Sequence, residues 1–241
     1  MKKKYLPWIL LCLIACAACL LLALPEKEPE SVTPLAPVPQ KVEPEKYVSP
    51  IDFAELQKTG SEIYGWLTIP GTEISYPVLQ SAIDDTMYLN HNEKQEWDEN
   101  GSLFTESEFN GRDFTDPVTI IYGHHMRSGA MFGNLQTLFT DRFDELRELV
   151  IYLPEQELHY QVFAAVAYDN RHILYHYDKF SQLSSMTDFV QTLSASHGIG
   201  NHFDDSCTVE ETDHLLVLST CLQGNNTNRF LVVGKLLDNK T

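Results

Sequence analysis

The stretch that most limits how this chain can fold is HLLVLSTCLQGNNTNRFLVVGKLL, residues 214–237. Two apolar runs of strand length, His214 to Ser219 and Phe230 to Leu237, flank the polar segment Gly224-Asn225-Asn226-Thr227-Asn228. The runs predict two buried strands, and the Gly/Asn segment predicts the loop between them. Cys221 falls where the first strand ends and Arg229 where the second begins. Neighbouring strands would therefore hold a thiol and a guanidinium together at one end of a sheet. A fixed positive charge beside a thiol favours the thiolate, the form in which cysteine attacks.

The rest of the chain gives this pair a setting. Met1-Lys2-Lys3-Lys4 precedes an uncharged apolar run, Tyr5 to Leu24. About 20 apolar residues suffice to cross a bilayer as a helix, and the lysines favour a cytoplasmic N-terminus. Residues 1–24 are thus expected to form a membrane anchor. A cleaved signal peptide is one alternative. Lipidation at Cys16, after Leu13-Ile14-Ala15, is another, although the apolar run continues past that cysteine. Each reading puts the remainder outside the cytoplasm. Residues 25–47 follow as a linker, with proline every few residues and Glu/Lys between. Such a sequence cannot bury a core and favours extended conformations. The folded domain is expected over residues 48–241.

Charge and cysteine usage narrow the function. The net charge is −17, and beyond residue 24 there are 14 basic against 34 acidic residues. That balance argues against a nucleic-acid partner. Three of the five cysteines lie in the apolar N-terminal run, leaving Cys207 and Cys221. A disulfide framework and a zinc site are both disfavoured by that count. Cys207 is set among Asp204, Asp205, Glu210 and Glu211, and nearby carboxylates suppress thiolate. Cys221 has no acid for several residues on either side. It is the favoured nucleophile, against the commoner role of a cysteine as a small buried filler.

Within the domain, Ser49-Pro50-Ile51-Asp52 reads as a helix start, with Ser49 as cap and Gly60 as the stop. Tyr64 to Val78 reads as two short strands about the Pro70-Gly71 turn. Ser81 to His91 suggests a helical turn. Gly101 to Phe104, Val118 to Tyr122, Val150 to Leu153 and Leu158 to Tyr168 read as strands. Phe132 to Phe139 is helix or loop, and Asp141 to Leu149 is ambiguous. Phe180, Leu183, Met186, Phe189, Val190 and Leu193 recur at helical spacing, with His197-Gly198 as the expected end. A mostly-β domain with a closed or rolled antiparallel sheet and one inserted helix before the last two strands is expected.

A cysteine nucleophile usually works with a histidine. Of nine histidines, His124 stands out, because it follows the buried-type strand Thr119 to Tyr122 and a glycine. His125 should point the other way, since neighbours on an extended chain alternate. Tyr122-Gly123-His124-His125-Met126, Gly129-Ala130-Met131-Phe132, Leu218-Ser219-Thr220-Cys221 and Arg229 together resemble the signature of sortases, the membrane-anchored cysteine transpeptidases of Gram-positive bacteria. The resemblance spans about residues 48–238. The inserted helix and the N-terminal helical lead-in look most like class B.

The resemblance implies an eight-stranded β-barrel with N-terminal helices. It implies Cys221 as nucleophile, His124 as proton donor and acceptor, and Arg229 as the group that positions substrate and stabilises the oxyanion. Ser219 and Thr220 would support the nucleophile or contact substrate. It implies LPXTG-like or NPQTN-like sorting signals as donors, a cross-bridge or pilin amine as acceptor, and no metal or other cofactor. Some class B members carry an acid shortly after the cysteine. Leu222 to Asn228 holds none, so the group that orients His124 must lie elsewhere. Ser196-His197-Gly198 resembles part of an L,D-transpeptidase motif, but Ile199 stands where that family's cysteine would be. A catalytically silent surface module is the remaining alternative.

Overall fold

A computed structural model describes residues 47–240. The expected anchor and nearly all of the linker lie outside the described residues, and no described helix is long and apolar enough to cross a membrane.

The strands are β1 (Ile63–Thr68), β2 (Ser75–Leu79), β3 (Leu103–Phe104), β4 (Val118–Tyr122), β5 (Glu148–Tyr152), β6 (Glu157–Tyr168), β7 (His202–Phe203), β8 (Leu215–Leu222) and β9 (Asn225–Lys240). Eight of them close a ring in the order β5-β1-β2-β3-β4-β8-β9-β6, sealed by a β5–β6 pairing. β7 adds two residues to the β6 edge. Closure removes the free edges that an open sheet would expose.

The sheet is not wholly antiparallel as expected: β2–β3 and β4–β8 are parallel pairs. The β4–β8 pair explains the chain's most apolar runs. A parallel strand needs a long crossover and is covered on both faces, so it reads as a continuous hydrophobic run rather than an alternating one.

Two layers of core result. Ile121, Leu216, Leu218, Phe230 and Val232 pack inside the barrel. Ile120, Val217, Leu231 and Val233 face the other way, under a helical cover. That cover lies between β6 and β7.

The first helix among the described residues, α1 (Phe53–Thr59), starts at Asp52, whose carboxylate accepts from Glu55 N at 2.9 Å. Ser49 caps nothing in this helix; its hydroxyl accepts from Ile51 N in the turn before it. The stop at Gly60 is as expected. Residues 81–91 contain a single 3₁₀ turn, Met87–Leu89. The undecided stretch resolves into α2 (Leu135–Arg142) followed by β5.

Between β6 and β7 lie a one-turn helix α3 (Ile173–His176), a 3₁₀ turn (Asp178–Phe180) and α4 (Leu183–Ser194). α4 buries Met186, Phe189 and Leu193 against the outer core layer. It ends at Ala195, short of the expected His197-Gly198. Phe189 is fully buried between Tyr168, Tyr177 and Phe180. Phe189→Ala is expected to lower unfolding stability by about 3–5 kcal/mol, read as a shift in the urea midpoint at unchanged slope.

Candidate active site

Strand register decides what shares a face. β4 pairs in parallel with β8, placing Tyr122 beside Ser219. β8 pairs with β9, placing Ser219 beside Leu231 and Cys221 beside Arg229. Paired residues point to the same side of a sheet, and residues two apart on a strand do so too. Tyr122, Ser219, Cys221, Arg229 and Leu231 therefore share the outward face, and His124 follows the end of β4 by two residues. His125 forms an isolated antiparallel bridge with Met131.

The thiol and the guanidinium are in contact: Arg229 Nη1 donates to Cys221 Sγ at 3.3 Å. The polar connection is tighter than expected. β8 runs on to Leu222, the turn is Gln223-Gly224, and β9 starts at Asn225. An irregularity follows Cys221, since Leu222 pairs with Asn225 while Cys221 pairs with Arg229. The surplus residues on β9 form a bulge of the kind that re-aims side chains next to active sites.

His124 is set by its neighbours along the chain. Gly123 N donates to Ser219 O at 3.1 Å and carries the β4–β8 ladder one residue past the strand. A Cβ on Gly123 would lie 2.4 Å from Leu103 Cδ2 and 2.6 Å from Phe132 Cδ2, so only glycine fits. Phe132 N donates to His124 O at 3.0 Å and closes the loop behind it. His124 Nε2 lies 2.5 Å from the Leu89 carbonyl oxygen. A carbonyl can only accept, so the proton is on Nε2 and Nδ1 is the nitrogen left to exchange one.

Leu89 ends the 3₁₀ turn, and sequence reasoning did not single it out. Tyr88 anchors that turn through its hydroxyl to Glu62 Oε2 at 2.6 Å. Gly101, at φ +58°, lets the chain pass where a Cβ would meet the Leu89 carbonyl oxygen at 2.6 Å. The orienting partner seen for His124 is therefore a backbone carbonyl.

The remaining candidates separate clearly. Ser219 is buried on the outward face, and Thr220 is fully buried with its hydroxyl unpartnered. Both are placed to support the strand end more than to touch a ligand. Cys207 packs at the edge of the outer core layer. Both cysteines are free, so no Cys207–Cys221 bridge forms. Burial pushes the Cys207 thiol up, with Asp204 adding to the effect and Lys235 opposing it. Ser196, in the His-Gly stretch, donates to the Ala167 carbonyl at 2.7 Å and serves the loop after α4.

Beside Tyr122 on the outward face lies a half-buried carboxylate that the sequence did not reveal. Glu106 bonds the Tyr122 phenol and His172 Nε2, the latter at 2.8 Å. Burial raises the Glu106 carboxyl, against lowering by His172 and Tyr122. Burial likewise raises the Tyr122 phenol, and the Arg229 charge pulls it back.

A closed eight-stranded barrel with a thiol, a guanidinium and an imidazole at the ends of three adjoining strands is built for cysteine acyl transfer. The sortase domain model matches residues 67–237, and the chain belongs to the sortase family of cysteine transpeptidases. A sortase B of Listeria monocytogenes is 32% identical over 190 residues, covering 77% of this chain and 74% of the relative. A Streptococcus pyogenes class B sortase involved in pilus biogenesis superposes with a TM-score of 0.67 at 26% identity, covering 78% of this chain and 98% of that one. A Staphylococcus aureus sortase B–substrate complex matches with a TM-score of 0.65 at 25% identity, covering 77% and 84%. The chain is class B-like.

Two outcomes are expected from this geometry. Gly123→Ala should cost about 1–3 kcal/mol of stability through overpacking and lower turnover by displacing His124, read by thermal melts and steady-state kinetics. Iodoacetamide at neutral pH should label the peptide containing Cys221 before the one containing Cys207, followed by peptide mapping.

Proposed function

We propose that this sortase cleaves a C-terminal sorting signal after threonine and transfers the upstream protein to an amine. The observation that carries the proposal is the Arg229–Cys221 contact, at the end of the strand that pairs with the one leading to His124.

Cys221 passes its thiol proton to His124 Nδ1, and Sγ attacks the threonine carbonyl as thiolate, forming a carbon–sulfur bond. A cationic donor on the sulfur complements that anionic form. The carbonyl oxygen gains negative charge, and Arg229, a permanent forked cation, is placed to meet it. The carbon–nitrogen bond breaks as His124 gives a proton to the leaving amine. An incoming amine then attacks the thioester, His124 takes its proton, and the thiolate leaves. The Leu89 carbonyl fixes the ring through both half-reactions. Ser219 and Thr220 hold the strand end that carries the nucleophile.

The donors proposed are proteins with LPXTG-like or NPQTN-like signals. The acceptor is a peptidoglycan cross-bridge amine or a pilin lysine; the resemblance to the streptococcal enzyme involved in pilus biogenesis supports including the second. Residues 1–24 would anchor the chain in the cell membrane, with residues 25–47 holding the catalytic domain outside. The lysines before the apolar run and the proline-rich spacing after it support that arrangement.

Cys221→Ala should lower cleavage of sorting-signal peptides by at least about 10³-fold, whereas Cys207→Ala should keep most activity. Both are read by release of the C-terminal fragment from fluorogenic peptides. Activity surviving in Cys221→Ala would overturn the assignment.

A further inference from the structure

Residues 80–102 join β2 to β3, with the 3₁₀ turn Met87–Leu89 and an isolated His91–Trp97 bridge as their regular structure. A connection of that length is uncommon in a compact domain unless it serves function. This one presents the Leu89 carbonyl to His124 Nε2. Leu89 itself is partly exposed, at 43%, so its own side chain does little to fix that carbonyl.

One carboxylate gathers the connection. Glu62 Oε1 accepts from Ala82 N at 3.1 Å, and Oε2 accepts from the Tyr88 hydroxyl at 2.6 Å and from Gln95 Nε2 at 3.1 Å. The three donors come from three separate parts of residues 80–102. All three are neutral, so Glu62 makes charge-assisted bonds to one loop and no ion pair with it. Glu62 is in turn fixed to the barrel. It directly precedes Ile63, the buried first residue of β1, and its carbonyl accepts from Gln80 N at 3.3 Å, just beyond the Ile63–Leu79 pair of β1 and β2.

Tyr88 carries this hold to the turn. Its side chain is buried in one cluster with Phe53, Ile63, Leu79 and Phe104. Its carbonyl accepts from Ser102 N at 2.9 Å, which ties the turn to the approach to β3. Burial raises the Tyr88 phenol and Glu62 adds to the effect, so the hydroxyl stays protonated and donates. Leu89 is the next residue. Its carbonyl is therefore placed relative to β1 through the Tyr88 side chain and the Glu62 carboxylate.

We propose that Glu62 is a positioning residue for His124, acting through Tyr88 and the Leu89 carbonyl to keep the ring proton on Nε2 and leave Nδ1 open to exchange one. The proposal rests on the reading of His124 as the proton carrier of a transpeptidase. Without the carboxylate, the 3₁₀ turn loses its tie to β1 and the carbonyl no longer selects the tautomer. A neutral ring with its proton on Nδ1 cannot take the thiol proton there.

The test uses the full-length chain in detergent, labelled with ¹⁵N-histidine, and the variants Tyr88→Phe, Glu62→Ala and Glu62→Gln. Long-range ¹H–¹⁵N spectra of the neutral ring report which nitrogen of His124 is protonated, the resonance being assigned by its loss in His124→Gln. Release of the leaving fragment from a sorting-signal peptide is measured on the same samples. The wild-type chain should show the Nε2–H form. In Tyr88→Phe and Glu62→Ala the Nδ1–H form should appear, and kcat should fall about tenfold with KM for the donor within about twofold. Glu62→Gln, which keeps one acceptor oxygen, should recover part of the loss. Tyr88→Phe removes one oxygen and leaves the ring to pack, so it decides the matter if Glu62→Ala does not fold. An Nδ1–H ring in the wild-type chain, or a Tyr88→Phe ring and kcat like those of the wild type, would overturn the proposal. So would a fall in kcat with the tautomer unchanged, which would make Glu62 a structural residue only. A wild-type chain that releases no fragment would refute the transpeptidase reading, and the ring spectra would still decide whether Glu62 sets His124.

Discussion

Cys221 and Arg229 meet because β8 and β9 are registered antiparallel strands, and that register is what the rest of the site depends on. The 3.3 Å contact is short-range and cannot be supplied by a flexible loop alone. β8 holds its place through pairs on both sides, with β4 and with β9, and through apolar side chains on both faces. A slip of one residue would move every side chain of β8 to the wrong face. It would bury Cys221 in the barrel and turn Thr220 outward. The hydrophobic layers that stabilise the barrel therefore also fix which side Cys221 faces.

The histidine is held differently. It lies beyond the end of β4, and its position comes from two backbone contacts, Gly123 to Ser219 and Phe132 to His124, and from its ring nitrogen on the Leu89 carbonyl. A neutral carbonyl, unlike a carboxylate, orients an imidazole without adding a charge that would pair with the imidazolium. The site is then a thiol, an imidazole and a guanidinium, with the guanidinium as its permanent charge. This matches the absence of any acid between Leu222 and Asn228. Glu106 sits on the same side of the sheet, yet its bonds go to Tyr122 and His172.

The side chains proposed to carry the chemistry could be picked out in the sequence because each stands at a strand end marked by an apolar run and a glycine or polar turn. α4 was legible because Met186, Phe189 and Leu193 keep one face of a helix. What escaped was information that side-chain types do not carry. The parallel pairings β2–β3 and β4–β8 depend on which strands meet after long crossovers, and β3 is only two residues long. The start of α1 moved from Ser49 to Asp52 because two caps competed within four residues, and the carboxylate made the bond to Glu55 N. The Leu89 carbonyl was invisible in principle, since every residue has one. Gly101 was the trace it left, a glycine whose missing Cβ makes room for that carbonyl.

The most direct test of the central claim is to trap the acyl-enzyme. The full-length chain is mixed with a sorting-signal peptide lacking any amine acceptor, quenched in acid, digested and mapped by mass. The threonyl fragment should be found in thioester linkage on the peptide containing Cys221, labile to hydroxylamine. An adduct on Cys207, or fragment release with an acyl group on some other residue, would contradict it.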